Sequence, residues 1–283
     1  MEVCGVDVPC ELWERVFGGV PWRERAALRH VCRAWRDMLN SPALWRGAPL
    51  REVLGCFTTC CKRGELAAAQ WLAATFGLGP ADARARDNEA LRIACARGHL
   101  VTAQWLAAAF GLGPADARSD VNGALREACY SGDLEVAQWL AATFGLGPAD
   151  ARAGDNYALR VACENGHLTV VRWLAATFGL GPADARSEDN YALRWACHND
   201  HLATAMWLAA AFGLGPADAR SNDNEALRTA CGGGHLETAQ WLVAAFGLGP
   251  ADARSRGNWA LGFARLDGHF GVVQGLGARF GLE

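Results

Sequence analysis

Lysine is nearly missing from this chain: Lys62 is the single one, beside 26 arginines. Side-chain amine chemistry is thereby confined to one position. No run of 18 apolar residues occurs, which excludes a membrane-spanning helix of ordinary length. The opening Met1-Glu2-Val3 lacks the basic-then-apolar layout of a secretory signal, so a cytoplasmic or nuclear location is expected. Excess positive charge is absent too. At a net charge of −3 nothing favours a phosphate backbone, and neither nucleic acid nor a membrane is expected as a partner. No linker rich in Ser, Pro or charge interrupts the 283 residues. No Ser-His-Asp or Cys-His-Asn set can be assembled except by arbitrary choice, so no catalytic residue, enzyme activity or cofactor is expected.

Cysteine, by contrast, is plentiful, with 11 residues. Taken alone, that number suggests a secreted disulfide scaffold. Yet Cys95, Cys129, Cys163, Cys197 and Cys231 recur at a fixed interval inside helical patterns, which fits a reduced intracellular protein.

The interval governs the fold. Trp71, Trp105, Trp139, Trp173, Trp207 and Trp241 sit 34 residues apart, and Gly-Pro recurs with them from Gly79-Pro80 to Gly249-Pro250. Each unit predicts two helices. Asn88 is expected to N-cap the first, Leu91, Ala94 and Cys95 to form its buried stripe, and Gly98 to end it. The second starts near Leu100 and carries Ala103, Leu106, Ala107 and Phe110 before Gly111. Neither helix can bury its apolar face alone, so the units must stack. The Trp series, at helical spacing, is expected in the core.

Ala-Leu-Arg-x-Ala-Cys followed by Gly-His-Leu resembles the ankyrin repeat across residues 53–283. The period of 34 exceeds the usual ankyrin length of about 33. The Gly-Ala-Asp-Val-Asn hairpin of ankyrins is replaced by Phe-Gly-Leu-Gly-Pro-Ala-Asp-Ala-Arg, in which Pro80 and Asp82 predict a turn of helix. The β-finger should therefore be short or replaced by that turn. The expectation is an all-α fold, with about seven 34-residue repeats over residues 51–283 and capping units at both ends. Armadillo and tetratricopeptide solenoids are the alternatives. The last unit has Arg265 for the repeating Cys and Gly275 for the repeating Trp, as a terminal unit without an outer neighbour requires.

Residues 1–50 follow another pattern. Val8-Pro9-Cys10-Glu11-Leu12-Trp13-Glu14-Arg15-Val16-Phe17 precedes Val31-Cys32-Arg33-Ala34-Trp35 and then Leu44-Trp45-Arg46. Pro9 can open a helix, Leu12, Val16 and Phe17 give it an apolar face, and Gly18-Gly19 stops it. Leu28, Val31, Cys32, Trp35 and Leu39 continue at helical spacing, and Asn40-Ser41-Pro42 turns the chain back. Three short helices of this size bury too little to be secure without something to pack on. In order and residue type these anchors resemble the F-box, with a departure at Arg25, where the family usually has an aliphatic residue. The resemblance implies a three-helix module that docks a Skp-type adaptor and, through it, a cullin. Val8, Pro9, Leu12, Val16, Phe17, Leu28, Val31 and Trp35 would form that interface. The array as a whole most resembles the F-box/ankyrin-type proteins of large DNA viruses, which would make adaptor, cullin and compartment those of a host cell.

Comparison among the units finds positions that vary between copies on an otherwise constant frame. The residue after the repeating Asn runs Glu89, Gly123, Tyr157, Tyr191, Glu225, Trp259, and the connector runs Arg86, Asp120, Gly154, Glu188, Asn222, Arg256. Such positions align into stripes on the concave side of a stacked solenoid. Varied side chains there suit either a binding surface or neutral drift of exposed positions. As a target-binding set the sequence offers Arg86, Glu89, Tyr130, Tyr157, Glu188, Tyr191, Trp195, His198 and Trp259. The spacing Cys-x3-His, as in Cys95…His99, superficially suggests zinc; a turn histidine beside a core cysteine is the simpler reading, and no metal is expected. Gly232-Gly233-Gly234, with no strand before it, is read as a frayed helix end. The function implied is substrate receptor of a cullin–RING ubiquitin ligase, binding an unknown target protein; the alternative is an ankyrin scaffold whose F-box-like helices cap the array.

Overall fold

The computed structural model describes residues 2–3, 6–7 and 50–281. The adaptor anchors expected between Val8 and Trp35, and the three helices around them, lie outside the described residues. Glu2–Val3 pairs antiparallel with Val6–Asp7, placing Val3 opposite Val6. From Leu50 onward every described element is helical, and the helices repeat as an all-α solenoid.

Each repeat between Leu50 and Ala253 has three parts. In one of them a first helix, Ala85–Ala96, is followed by a second, Leu100–Phe110, and then by a single turn, Pro114–Ala117. Gly111 ends the second helix at φ 58°, a left-handed conformation that side-chain-bearing residues adopt only at a cost. Pro114 opens the single turn with its φ already helical, and the Asp116 carboxylate accepts the Gly113 N–H at 2.8 Å. That turn stands where a β-finger would be. The same Pro-Ala-Asp-Ala turn recurs through Pro250–Ala253.

The start of the first helix departs from expectation. Asn88 does not cap it in the usual extended conformation. Arg86, Asp87 and Asn88 all have positive φ, at 53°, 55° and 57°, so the chain makes a left-handed turn before the right-handed helix begins. Asn88 is 5% exposed; its Nδ2 donates to Ser119 Oγ at 3.2 Å, while its Oδ1 has no hydrogen-bond partner among the described residues. The same three-residue turn recurs at 120–122, 154–156, 188–190, 222–224 and 256–258. Asp and Asn predominate at its second and third positions because they tolerate this region better than other non-glycine residues. The first helix of the glycine-triplet unit runs the full length, Ser221–Gly232, so that triplet frays nothing.

The core is narrower than the sequence suggests. Leu91, Leu106, Leu125, Leu140, Leu159, Leu174, Leu193 and Leu208 are wholly buried, with Cys95, Cys129, Cys163, Cys197 and Cys231. The tryptophans are not: Trp105, Trp139, Trp173, Trp207 and Trp241 are half-buried. Each instead meets the Phe five residues on edge to face, as Trp173 does Phe178 at 5.4 Å. The position points inward only in part, so the series borders the core and does not fill it. Arg265 is exposed at the position where Cys95, Cys129, Cys163, Cys197 and Cys231 are buried.

The chain divides into two compact units, Met1–Ser119 and Asp120–Glu283. Within the first, Arg84 Nε and Nη2 donate to the two Asp116 oxygens at 2.7 and 3.0 Å. Within the second, the same fork joins Arg152 to Asp184, Arg186 to Asp218 and Arg220 to Asp252. Each links one repeat to the next through the carboxylate that also caps the single turn. At Asp116, Asp218 and Asp252 the arginine bond outweighs burial and holds the carboxyl below its ordinary range. At Asp184 burial is the largest influence and works upward, but Arg152 and the Gly181 N–H together overcome it.

A carboxyl whose pKa falls on folding stabilises the fold above its unfolded value of 3.8 and loses that contribution as pH drops through the folded value. The melting temperature should therefore hold above the ordinary carboxyl range and fall progressively as pH drops below about 4. Asp218→Asn should flatten part of that decline. A melting temperature constant across the range would show that the ladder contributes nothing.

Candidate functional site

The varied positions identified from sequence fall on the outward face of the first helices and on the left-handed turns before them. In the first unit, exposed Arg86 pairs with Glu89 at 3.3 Å, and both line a depression with Arg51 and Thr58. The others lie in the second unit. Tyr130 and Tyr157 are exposed at 55% and 41%, and with Arg126 and Glu127 they line a second depression. Tyr191 and Trp195 are half-buried, Glu188 and His198 exposed. Tyr191 stacks on Trp195 at 5.4 Å and 22°, and Trp195 meets His198 at 4.8 Å. Trp195 and His198 line a third depression with Arg194, Glu225 and Thr229. Trp259, 44% exposed, packs on Phe263 in the last repeat.

What holds these rings is the arginine of Ala-Leu-Arg, part of the constant frame of the repeat. Arg194 Nε and Nη2 donate to the Asp189 and Glu188 carbonyls at 2.8 and 2.9 Å, clamping the left-handed turn of its own repeat. Arg92 and Arg228 do the same in theirs. The guanidinium planes then flank the aromatic residues. Arg126 and Arg160 lie 5.0 and 5.1 Å from the Tyr157 ring, and Arg160 and Arg194 lie 4.9 and 5.9 Å from that of Tyr191. A signal existed: each arginine stands three residues after the varied position, on the same helical face. The Tyr191 hydroxyl donates to Glu164 at 2.8 Å; burial, then that bond, pushes its pKa up to about 12, so it stays a neutral donor.

The cysteine–histidine spacing serves packing. Burial raises the Cys129, Cys163 and Cys197 thiols well above their ordinary value. His99, His167 and His235 each place Nε2 at 3.0–3.1 Å from a backbone carbonyl of the preceding repeat, at Lys62, Tyr130 and His198. His99 needs Gly64 beneath it, since a Cβ there would lie 2.7 Å from Nδ1. Among the described residues no three His, Cys, Asp or Glu side chains converge as a metal site would require. No described helix is long and apolar enough to cross a membrane.

Comparison with known families gives two matches. The F-box-like family matches residues 6–48, and the ankyrin repeats family, as three copies, matches residues 125–213. No curated protein matches the chain. The chain therefore carries an F-box-like segment and ankyrin repeats, families that are typically non-catalytic adaptors.

Proposed function

We propose that this chain is the substrate-recognition subunit of a cullin–RING ubiquitin ligase, divided into an F-box at residues 1–50 and a repeat domain at 51–283. The observation that carries the reading is the pairing of an F-box-like match at 6–48 with repeats whose exposed first-helix face varies from copy to copy. An F-box implies a Skp-type adaptor, and ankyrin repeats imply a protein target. Val8, Pro9, Leu12, Val16, Phe17, Leu28, Val31 and Trp35 would meet the adaptor, which would bring the cullin. The repeats would hold the target through Tyr130, Tyr157, Tyr191, Trp195, Trp259 and their charged neighbours. The chain itself would do no chemistry. Holding a target lysine near a ubiquitin thioester raises its effective concentration, and that proximity is the whole catalytic contribution. If the likeness to large DNA virus proteins extends to descent, adaptor and cullin belong to the host.

Pro9, Leu12 and Val16 changed together to Ala should abolish co-purification of the adaptor while the repeats keep their helical melt, because small helical interfaces concentrate binding in a few apolar anchors. Retention of adaptor at the wild-type level would place the docking surface elsewhere. A wild-type chain that captures no adaptor would leave the ankyrin scaffold reading in its stead.

A further inference from the structure

We propose that Lys62 is the one side chain on which this chain accepts ubiquitin when it is assembled in its own ligase. This rests on the substrate-receptor reading above and adds a modification site to it. Lys62 is the single lysine of the sequence. It stands in the last turn of the helix Leu50–Arg63, which follows the F-box-like match at 6–48. Its carbonyl lies 3.1 Å from His99 Nε2, so the backbone is tied to the next repeat. The ammonium is not tied: the residue is exposed, and its side chain makes no hydrogen bond or ion pair among the described residues.

Other described side chains offer no equivalent nucleophile. The described cysteines are all buried, which keeps their thiols from a thioester carried by another protein. Arginine cannot take the role, because its guanidinium stays protonated and delocalised. Some arginines are needed as arginines. Arg84 in its fork and Arg194 in its clamp each use two guanidinium nitrogens at once. Arg97, Arg172, Arg254, Arg265 and Arg279 differ from these. They are exposed, and their side chains make no hydrogen bond or ion pair among the described residues. A lysine at any of the five would keep the charge and the fold and add an acceptor. The described surface is thus poorer in amines than its packing requires.

The step needs no redox partner. After losing a proton to solvent, Lys62 Nζ attacks the carbonyl carbon of a ubiquitin thioester on the conjugating enzyme. The C–N bond forms as the C–S bond breaks. The sulfur leaves as the enzyme's thiolate, and a second proton passes from the nitrogen to solvent. An isopeptide bond remains. Adaptor and cullin bring the thioester to the receptor whether or not a target is bound, so proximity acts on Lys62 as it acts on a target lysine. With one acceptor, self-modification is confined to one place, and the contact of the Lys62 carbonyl with His99 survives it.

The test assembles the full-length chain with adaptor, cullin, RING subunit, charged conjugating enzyme and ubiquitin, without a target, and maps ubiquitin remnants by mass spectrometry. The wild-type chain should carry a remnant at Lys62 and on no other side chain. Lys62→Arg keeps the charge and should lower total modification by roughly tenfold. Arg97→Lys with Arg172→Lys, made in the wild-type chain, supplies two further acceptors and reports that the ligase is working. A thermal melt of each variant establishes that it is folded. A Lys62→Arg chain modified as fast as wild type, through its α-amino group or a hydroxyl, would overturn the proposal. So would remnants on the added lysines with Lys62 left bare. Adaptor co-purification on the same proteins separates the two readings. A chain that holds adaptor yet leaves Lys62 unmodified loses only this site, whereas one that holds no adaptor loses the ligase reading and the site with it.

Discussion

Replacing Leu174 with Ala is expected to cost about 3–5 kcal/mol, whereas Trp173→Ala, the larger truncation next door, should cost only about 2. Size alone would order them the other way. Leu174 is 0% exposed and lies in the mid-array core, so the cavity it leaves cannot be filled by water or by easy collapse. Trp173 is half-buried, and its principal ring partner is Phe178. Part of the indole already meets solvent, and removing it forfeits that part of no burial at all. Chemical denaturation of both variants decides the order. A Trp173→Ala protein less stable than Leu174→Ala would mean that the indole, and not the leucine layer, seals the repeats.

Arg194→Ala should be nearly as damaging, at about 2–4 kcal/mol, although the residue is charged. Its loss strands the Glu188 and Asp189 carbonyls, removes the guanidinium beside the Tyr191 ring and leaves Glu225 without its cation. It also releases a turn of three left-handed residues, each unfavourable by about 1–2 kcal/mol without support. Arg194→Lys should recover only part of the loss, because a single ammonium cannot span two carbonyls as the planar fork does. Wild-type stability in the lysine variant would show that charge alone suffices. The last repeat supplies a natural comparison. It has Gly262 in place of this arginine, and its turn contains Gly257 at φ 74°, a conformation that glycine reaches without strain.

Much of the architecture was legible because it is written locally. A 34-residue period, apolar residues at helical spacing, glycine after each second helix and proline at the head of each single turn are statements about neighbours in sequence. They determine an all-α repeat by themselves but leave the β-finger either short or replaced by a helical turn, and the structure shows the turn. The varied positions were legible too, since repeats in one chain can be compared with one another. Tertiary structure decided the rest. The Arg–Asp forks span 32 residues and exist only once two repeats are stacked. The left-handed turn at Asn88 could pass for an ordinary cap, because Asn favours both conformations, and the contact by which Arg92 holds the turn carbonyls is seen only in the folded chain. Periodicity likewise says which face of a helix is apolar but not how deeply it sinks, so it placed Leu174 and Trp173 together where packing separates them.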